Sequence, residues 1–336
     1  MTIKSYFVDN INHRRYPLNG VIPSGRQPTE THANKLFQNR VIVGALKLPP
    51  KVDLRPDMTT VENQYTANSC VANSLAGSYE YLLKKSYSTQ IDVSRLFIYY
   101  NARYRDNPSG EITDSGCMID EAISALSEYG TCLESLWPYE LLSVNIQPSA
   151  EAYESAKYHT IVDWLQVKIN LKEMKAALAQ GYPFIFGAEL FNSFSMATQS
   201  GVVPVPTATE RIYHFEFFSY HAMLAVGYSD RSQMFIVRNS WGPEWGDQGY
   251  CYIPYAYLAD PSLCFDAWVI RKLATDDFSQ HGWFFQDTVN FRTKNNANNY
   301  TPARAAQNNA IIYVEEPDDH QEVTNTAEAQ PTLHKE

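Results

Sequence analysis

Residues 237–254 read VRNSWGPEWGDQGYCYIP, and this segment decides how the fold of the whole chain is interpreted. It begins in a short apolar run, MFIVR at 234–238, which follows another apolar run, HAMLAVGY at 221–228, after a few polar residues. Runs of this kind, separated by turn residues, predict an antiparallel hairpin. Such a hairpin would bring Asn239 beside His221.

An amide beside a histidine favours a catalytic role over the structural role that a lone histidine usually has. The Asn239 amide can accept a hydrogen bond from the His221 imidazole and fix its tautomer and orientation. Trp241 and Trp245 could cover this pair and keep water away. We therefore predict His221 as a general base, Asn239 as its orienting partner and Trp241 as a shield.

The candidate nucleophile lies in residues 66–85, which read TANSCVANSLAGSYEYLLKK. Cys70 stands where a loop turns into an amphipathic helix, and the dipole and free N–H groups of a helix N-terminus favour a thiolate. A buried cysteine is more often a small hydrophobe, so this role depends on the histidine. Gln64, six residues upstream, could donate its amide to an oxyanion beside the Cys70 N–H.

The bulk composition argues against a nucleic-acid or membrane partner. The chain of 336 residues has a net charge of −10 and a pI near 5.3, whereas nucleic-acid binders show a basic footprint. No apolar run reaches the length of about 18 residues that a membrane-spanning helix needs. The N-terminal MTIKSYFVDNINHRR lacks the apolar core of a signal peptide, so we expect a cytoplasmic protein or export by a signal-independent route.

The five cysteines indicate reduced thiols rather than a disulfide framework. Their odd number leaves at least one of them unpaired within the chain. Cys117 and Cys132 flank a predicted helix of about 12 residues, roughly 18 Å long, whereas the Cα atoms of a disulfide lie within about 7 Å. The cysteine spacing does not fit a metal site, and we expect no metal or cofactor.

The order of the predicted elements indicates an α+β fold with two lobes and a cleft between them. Apolar residues recur at helical spacing in four segments, 71–85, 93–105, 118–130 and 170–181. Asn170 and Glu173 have the spacing of a capping box. Strand-like runs follow at 183–190, 221–228, 234–238, 249–253 and 266–271.

Together these residues resemble the papain-like cysteine peptidases. The resemblance rests on Gln64, the segment Asn68-Ser-Cys70 with the helix after it, His221, and the segment 239–250. It covers about residues 48–272. The stretch LSEYGTCLESLWPYE also looks like the family's segment that ends in a tyrosine after a proline.

The family implies a helical lobe, a following antiparallel β lobe and an active-site cleft between them. By position, the resemblance implies Cys70 as the nucleophile, His221 as the base, Asn239 as the orienting amide and Gln64 as the oxyanion-hole donor. It also implies three parts of the chain: an N-terminal arm that could be a short pro-segment, a peptidase domain and a C-terminal extension. We place these at 1–48, which we expect to be loosely structured, 49–275, and 276–336, which we expect to be disordered beyond about 315.

Several positions depart from the family's common pattern. Ala67 stands where many members have a half-cystine, and Val71 replaces the aromatic residue that usually follows the nucleophile. The sequence Gly116-Cys-Met-Ile replaces a Cys-Asn-Gly-Gly that contacts the substrate main chain, and Tyr220 precedes the histidine in place of Asp or Asn. This pattern looks more like the bacterial branch than the lysosomal one.

The resemblance implies a cysteine endopeptidase acting on peptide or protein substrates through a Cys70 thioester and a thiolate–imidazolium pair. One alternative is a thiol acyltransferase, a ligase or transamidase on the same fold, which differs in what attacks the thioester. Another is a catalytically silent peptide-binding homologue, which needs a broken triad or a blocked cleft. The sequence does not indicate an oligomeric state.

Overall fold

The structure is a computed structural model that describes residues 3–9, 13–25, 35–40, 48–88, 90–213, 219–274 and 310–315. Its strands are β1 (Ile3–Asp9), β2 (Arg14–Pro17), β3 (Lys51–Asp53), β4 (Ile161–Val167), β5 (Phe184–Glu189), β6 (Tyr220–Ser229), β7 (Met234–Arg238), β8 (Tyr250–Pro254), β9 (Cys264–Leu273) and β10 (Ala310–Glu315). Its helices are α1 (Phe37–Arg40), α2 (Cys70–Tyr87), α3 (Arg95–Asp106), α4 (Ile119–Tyr129), α5 (Ala150–Ala156), α6 (Leu171–Ala179), α7 (Ala197–Ser200), α8 (Ala208–Tyr213) and α9 (Tyr255–Leu258).

The helical lobe is built on α2, with α3 and α4 packed beside it. Residues from Cys70 to Leu83 in α2 are buried, which explains the near-continuous apolar and small residues there. Ser94 begins α3 as its N-cap by accepting a hydrogen bond from the Phe97 N–H. All four predicted helices are present, and each begins and ends within two residues of its expected position. Within the described part of the chain, no helix is long and apolar enough to cross a membrane.

The second lobe is an antiparallel sheet in the order β4-β9-β5-β6-β7-β8, with β3 paired to β6. The five predicted strands are all present. Strand β4 was not predicted, because its pairing with β9 shifts register between Ile161 and Trp164 and breaks the alternation of buried and exposed residues. One face of the sheet packs on α2, and the other covers a second apolar core.

The capping box predicted before α6 is only half formed. The Asn170 Oδ1 accepts a hydrogen bond from the Glu173 N–H at 2.9 Å. The Glu173 carboxylate does not reach back to the Asn170 N–H and accepts from the Lys168 N–H at 3.1 Å instead. The cap therefore satisfies one of the free N–H groups of α6 through its own side chain.

The N-terminal arm is ordered where it is described, so the expectation of a loosely structured arm is wrong for these residues. Strand β1 pairs with β2 on one side and with β10 on the other, antiparallel in both cases. Phe7 and Tyr16 are buried in the core of the β lobe. Strand β2 has only four residues, and β10 lies about 300 residues away from β1 in sequence, so local patterns do not reveal the pairing. The expected disorder beyond 315 lies outside the described residues.

Candidate active site

The hairpin of β6 and β7 brings His221 and Asn239 together as the sequence predicted. Leu224 pairs with Arg238 across the hairpin, and the His221 Nε2 lies 2.8 Å from the Asn239 Oδ1. An amide oxygen only accepts, so Nε2 is assigned the ring hydrogen and Nδ1 keeps its lone pair. Among the described residues, no group forms a hydrogen bond with the His221 Nδ1.

Cys70 is the first residue of α2 and is fully buried. The N–H of Ala222, the residue after His221, points at the Cys70 Sγ from 3.4 Å. The N-terminus of α2 and the start of β6 therefore meet at the sulfur. The contact places the Cys70 thiol of the helical lobe against the main chain of the β lobe, one residue after His221.

Gln64 lies beside this junction with its amide held at both ends. Its Oε1 accepts from the Ser240 Oγ at 2.5 Å, and its Nε2 donates to the Ala67 carbonyl at 2.8 Å. Its main-chain N–H donates to the Ser240 carbonyl at 2.8 Å. An amide nitrogen has two hydrogens, so one Nε2 hydrogen remains for a further acceptor.

Trp241 covers the imidazole. The ring is fully buried, and its centroid lies 4.8 Å from that of His221. Trp245 meets it edge-on at 5.0 Å. Trp241 also stacks with the rings of two arm residues, and the centroid distances are 4.5 Å to Tyr16 and 5.3 Å to Phe7. The shield therefore includes part of the arm, which the sequence did not indicate.

Burial shifts both reacting groups toward their neutral forms. Desolvation raises the pKa of the Cys70 thiol to about 12, against the opposing effect of hydrogen bonds from the Ala222 N–H and the first turn of α2. Desolvation lowers the pKa of His221 to about 4, against the opposing hydrogen bond to Asn239. The expected thiolate–imidazolium pair is therefore not favoured in this closed arrangement, because water is excluded from both groups.

The arm closes the site with Gly20. A Cβ added to Gly20 would lie 2.9 Å from the Cys70 Sγ and 2.7 Å from the Asn68 carbonyl oxygen, so only glycine fits there. The neighbouring Asn19 N–H donates to the Tyr220 carbonyl at 2.6 Å. The main chain of the arm thus runs directly over the nucleophile.

The arm continues along the wall of the cleft opposite the β lobe and then returns to that lobe. The Cys117 N–H donates to the Gly20 carbonyl at 3.1 Å, and the Ile22 N–H donates to the Cys117 carbonyl at 3.1 Å. Ser24 donates from both its N–H and its hydroxyl to the Asp266 carboxylate, at 2.8 and 2.9 Å. The Gly116-Cys-Met-Ile segment, which departs from the family's common pattern, therefore pairs with the main chain of the arm through Cys117.

The structure brings together all five residues predicted for the site. Sequence reasoning missed Gly20, and it gave no role in the site to Ser240 of the segment 239–250 or to Tyr139 of the segment LSEYGTCLESLWPYE. The Tyr139 hydroxyl donates to the Gln64 carbonyl at 2.9 Å. No local pattern singles out Gly20, and the motif around Tyr139 does not reveal its contact with Gln64, because each residue reaches the site from a distant part of the chain. All five cysteines are free, and no group of His, Cys, Asp or Glu among the described residues could hold a metal ion.

A buried thiol, an amide-held imidazole and a fixed glutamine between a helical and a β lobe define a cysteine hydrolase. The chain belongs to the papain family of cysteine proteases, because the family model described as papain family cysteine protease matches residues 48–258. The fold and the enzyme class expected from the sequence are thereby confirmed.

Individual relatives agree with this assignment. An uncharacterised peptidase C1-like protein of Acanthamoeba polyphaga mimivirus is 35% identical over 245 residues, covering 70% of this chain and 76% of that protein. The structure of xylellain, a cysteine protease from Xylella fastidiosa, has 31% identity and a TM-score of 0.61, and the match covers 75% of this chain and 95% of that one.

A cathepsin L-like proteinase of Fasciola hepatica is 27% identical, and the chain spans 59% of its length. The relatives thus come from a virus, a bacterium and an animal. The assignment to a bacterial branch is therefore not confirmed.

Proposed function

We propose that the chain is a cysteine endopeptidase in which Cys70 forms a thioester with the substrate and His221 acts as general base and acid. The observation that carries this proposal is the 2.8 Å hydrogen bond between the His221 Nε2 and the Asn239 Oδ1. It leaves Nδ1 as the ring atom that can take a proton from the nearby thiol.

In the proposed reaction the Cys70 sulfur attacks the peptide carbonyl while His221 takes its proton. The oxyanion is held by the Cys70 N–H and the remaining Nε2 hydrogen of Gln64, and loss of one such donor typically costs about 10²–10³ in rate. His221 then protonates the leaving amine, and the C–N bond breaks. Finally His221 activates a water molecule, which hydrolyses the thioester, releases the carboxylic acid product and regenerates the Cys70 thiol.

We also propose that the arm keeps the full chain latent until it moves. The support is the position of Gly20 against the sulfur and the main-chain hydrogen bonds of the arm to Tyr220 and Cys117. A substrate carbonyl cannot reach Cys70 while Gly20 occupies this position. The shifted pKa values of Cys70 and His221 belong to this covered state, and access of water restores the conditions for ionisation.

The experiment compares the full chain with its Cys70→Ala variant. Each is treated with an epoxide thiol inhibitor and weighed intact, and each is incubated with an unfolded protein substrate whose products are weighed with and without an added amine. Because the arm must move before Cys70 is reached, we expect the parent to form one adduct and to cleave the substrate internally but slowly, whereas the variant does neither. Products carrying the added amine would identify an acyltransferase instead. An adduct without any substrate turnover, both in the parent and in a Gly20→Ala variant whose arm is displaced, would identify a silent homologue.

A further inference from the structure

Gln64 is fixed by its main chain as well as by its amide. Its carbonyl accepts from the Tyr139 hydroxyl at 2.9 Å, and the same hydroxyl lies 2.6 Å from the Ser69 Oγ. A phenol has one hydrogen, and since it goes to the Gln64 carbonyl, Ser69 must donate to Tyr139. One hydroxyl thus joins the loop that holds Gln64 to the residue that precedes Cys70.

The contacts on Ser69 extend this chain of hydrogen bonds. The Asn73 Nδ2 donates to the Ser69 Oγ at 3.0 Å, and the Asn73 Oδ1 accepts from the Arg95 Nη1 at 3.4 Å. Each group in this chain donates a hydrogen bond to the next, from Arg95 through Asn73, Ser69 and Tyr139 to Gln64. Buried chains of this kind strengthen each member and hold one geometry.

The Arg95 guanidinium packs against the face of the Tyr139 ring. Its guanidinium carbon lies 4.1 Å from the centroid of the Tyr139 ring, and the side chain is 9% exposed. Glu62 and Glu134 pair with its two terminal nitrogens at 3.0 and 3.2 Å. Glu134 also accepts from the Tyr139 N–H at 2.7 Å, so the ion pairs hold both the face and the main chain of this tyrosine.

We infer that Tyr139, held on Arg95, is a positioning residue that aligns the two oxyanion donors, the Gln64 amide and the Cys70 N–H. This inference rests on the proposed function. The hydroxyl acts on Gln64 directly and on Cys70 through Ser69, and it touches no reacting atom. Burial raises the pKa of Tyr139, so the phenol keeps its proton and remains a donor throughout the working pH range.

The test separates acylation of Cys70 from its simple alkylation. Acylation by a peptide ester develops an oxyanion and needs aligned donors, whereas alkylation by iodoacetamide needs only a reactive, accessible sulfur. Both reagents must pass the arm, so the ratio of their rates in the full chain does not depend on how often the arm opens. For Tyr139→Phe we expect kcat for the ester to fall about 10-fold, below the 10²–10³ typical of a lost donor, with KM and the alkylation rate unchanged within about two-fold.

Tyr79→Phe is the matched control. Tyr79 is fully buried, and its hydroxyl donates to the His159 carbonyl at 3.2 Å, away from the Gln64 loop. The same chemical change there should leave both rates as they are. If Tyr139→Phe lowers acylation and alkylation equally, or lowers neither, the positioning role is wrong.

A double-mutant cycle with Gln64→Ala shows whether Tyr139 acts through the oxyanion site. The fold loss in kcat caused by Tyr139→Phe should be at least about three-fold smaller in the Gln64→Ala background than in the parent, because one of the two aligned donors is already gone. Independent, multiplicative losses would overturn the inference and leave the peptidase assignment intact. A parent chain whose Cys70 alkylates but never forms an acyl-enzyme would overturn both.

Discussion

At the scale of single residues, the state of the site depends on one glycine of the arm and on the burial of two titratable groups. Gly20 lets the main chain lie against the Cys70 sulfur, and any side chain there would collide with it. Cys70 and His221 are both fully buried and both shifted toward neutrality. Under the proposed mechanism, catalysis therefore requires the arm to move, because burial keeps both Cys70 and His221 neutral in the closed site.

Gly20→Ala should loosen the arm. The added Cβ would lie 2.9 Å from the Cys70 sulfur and 2.7 Å from the Asn68 carbonyl oxygen, so the arm must shift away. We expect the rate of Cys70 labelling by iodoacetamide to rise about 10-fold, corresponding to roughly 1.4 kcal/mol less favourable closure. Ile22→Ala is the control in the same arm, because the Ile22 side chain is exposed and the change adds no atom. Equal labelling of the two variants and the parent would contradict a closing role for Gly20.

The pKa of His221 predicts a loss of stability in acid. Its value in the folded chain is about 4, whereas an exposed histidine titrates near 6.5, so the unfolded chain binds the extra proton between these values. The free energy of unfolding should therefore fall as the pH drops from about 7 to 4, by on the order of 2–3 kcal/mol from this group. Denaturant unfolding of the parent and of His221→Asn would measure it. Parallel pH profiles for the two chains would contradict the prediction.

At the scale of elements, local patterns predicted the helices and the strands of the β lobe well, and the arm poorly. The β6–β7 hairpin follows from two apolar runs that are separated by a short polar turn. Strand β4 was missed because its register shifts hide the alternation. Strand β2 has only four residues, and β1 pairs with β10 from the far end of the chain. Pairing over long sequence distances leaves no local signal.

Asn170→Ala should destabilise the start of α6. The Asn170 side chain accepts from the Glu173 N–H at 2.9 Å, and its removal leaves that N–H without its cap. Loss of an N-cap typically costs about 0.5–2 kcal/mol. The free energy of unfolding from denaturant titration measures this, with Asn170→Asp as the variant that keeps an acceptor. An Asp variant as unstable as the Ala variant would show that the cap contributes nothing.

At the scale of the whole molecule, the two ends of the chain meet in one sheet. Strand β10 pairs with β1 over residues 310–315, and β1 pairs with β2, which leads directly to Gly20. The buried rings of Phe7 and Tyr16 anchor this sheet on Trp241, above the imidazole. Closure of the cleft therefore depends on residues at both ends of the sequence.

Ending the chain after residue 274 should weaken the hold on the arm. It removes the six residue pairs between β1 and β10 and leaves β1 with β2 as its remaining partner. We expect faster labelling of Cys70 by iodoacetamide, with no change in the unfolding transition of the two lobes. A chain ending after residue 316 keeps β10 and is the control. If both truncated chains label at the rate of the parent, β10 does not help to hold the arm.

The sequence by itself determined the family and the two-lobed α+β fold, and it indicated five candidate site residues that the structure brings together, because these depend on motifs and periodicities within short segments. Asn239 and His221 are close along a hairpin, and Cys70 begins a helix whose pattern is plain. Only the tertiary structure decided that Gly20 covers the sulfur, that burial keeps the thiol and imidazole neutral, and that Tyr139 links the Gln64 loop to Ser69. Gly20 contacts Cys70, and Tyr139 contacts Gln64 and Ser69, across long stretches of sequence. Local sequence patterns carry no information about such contacts.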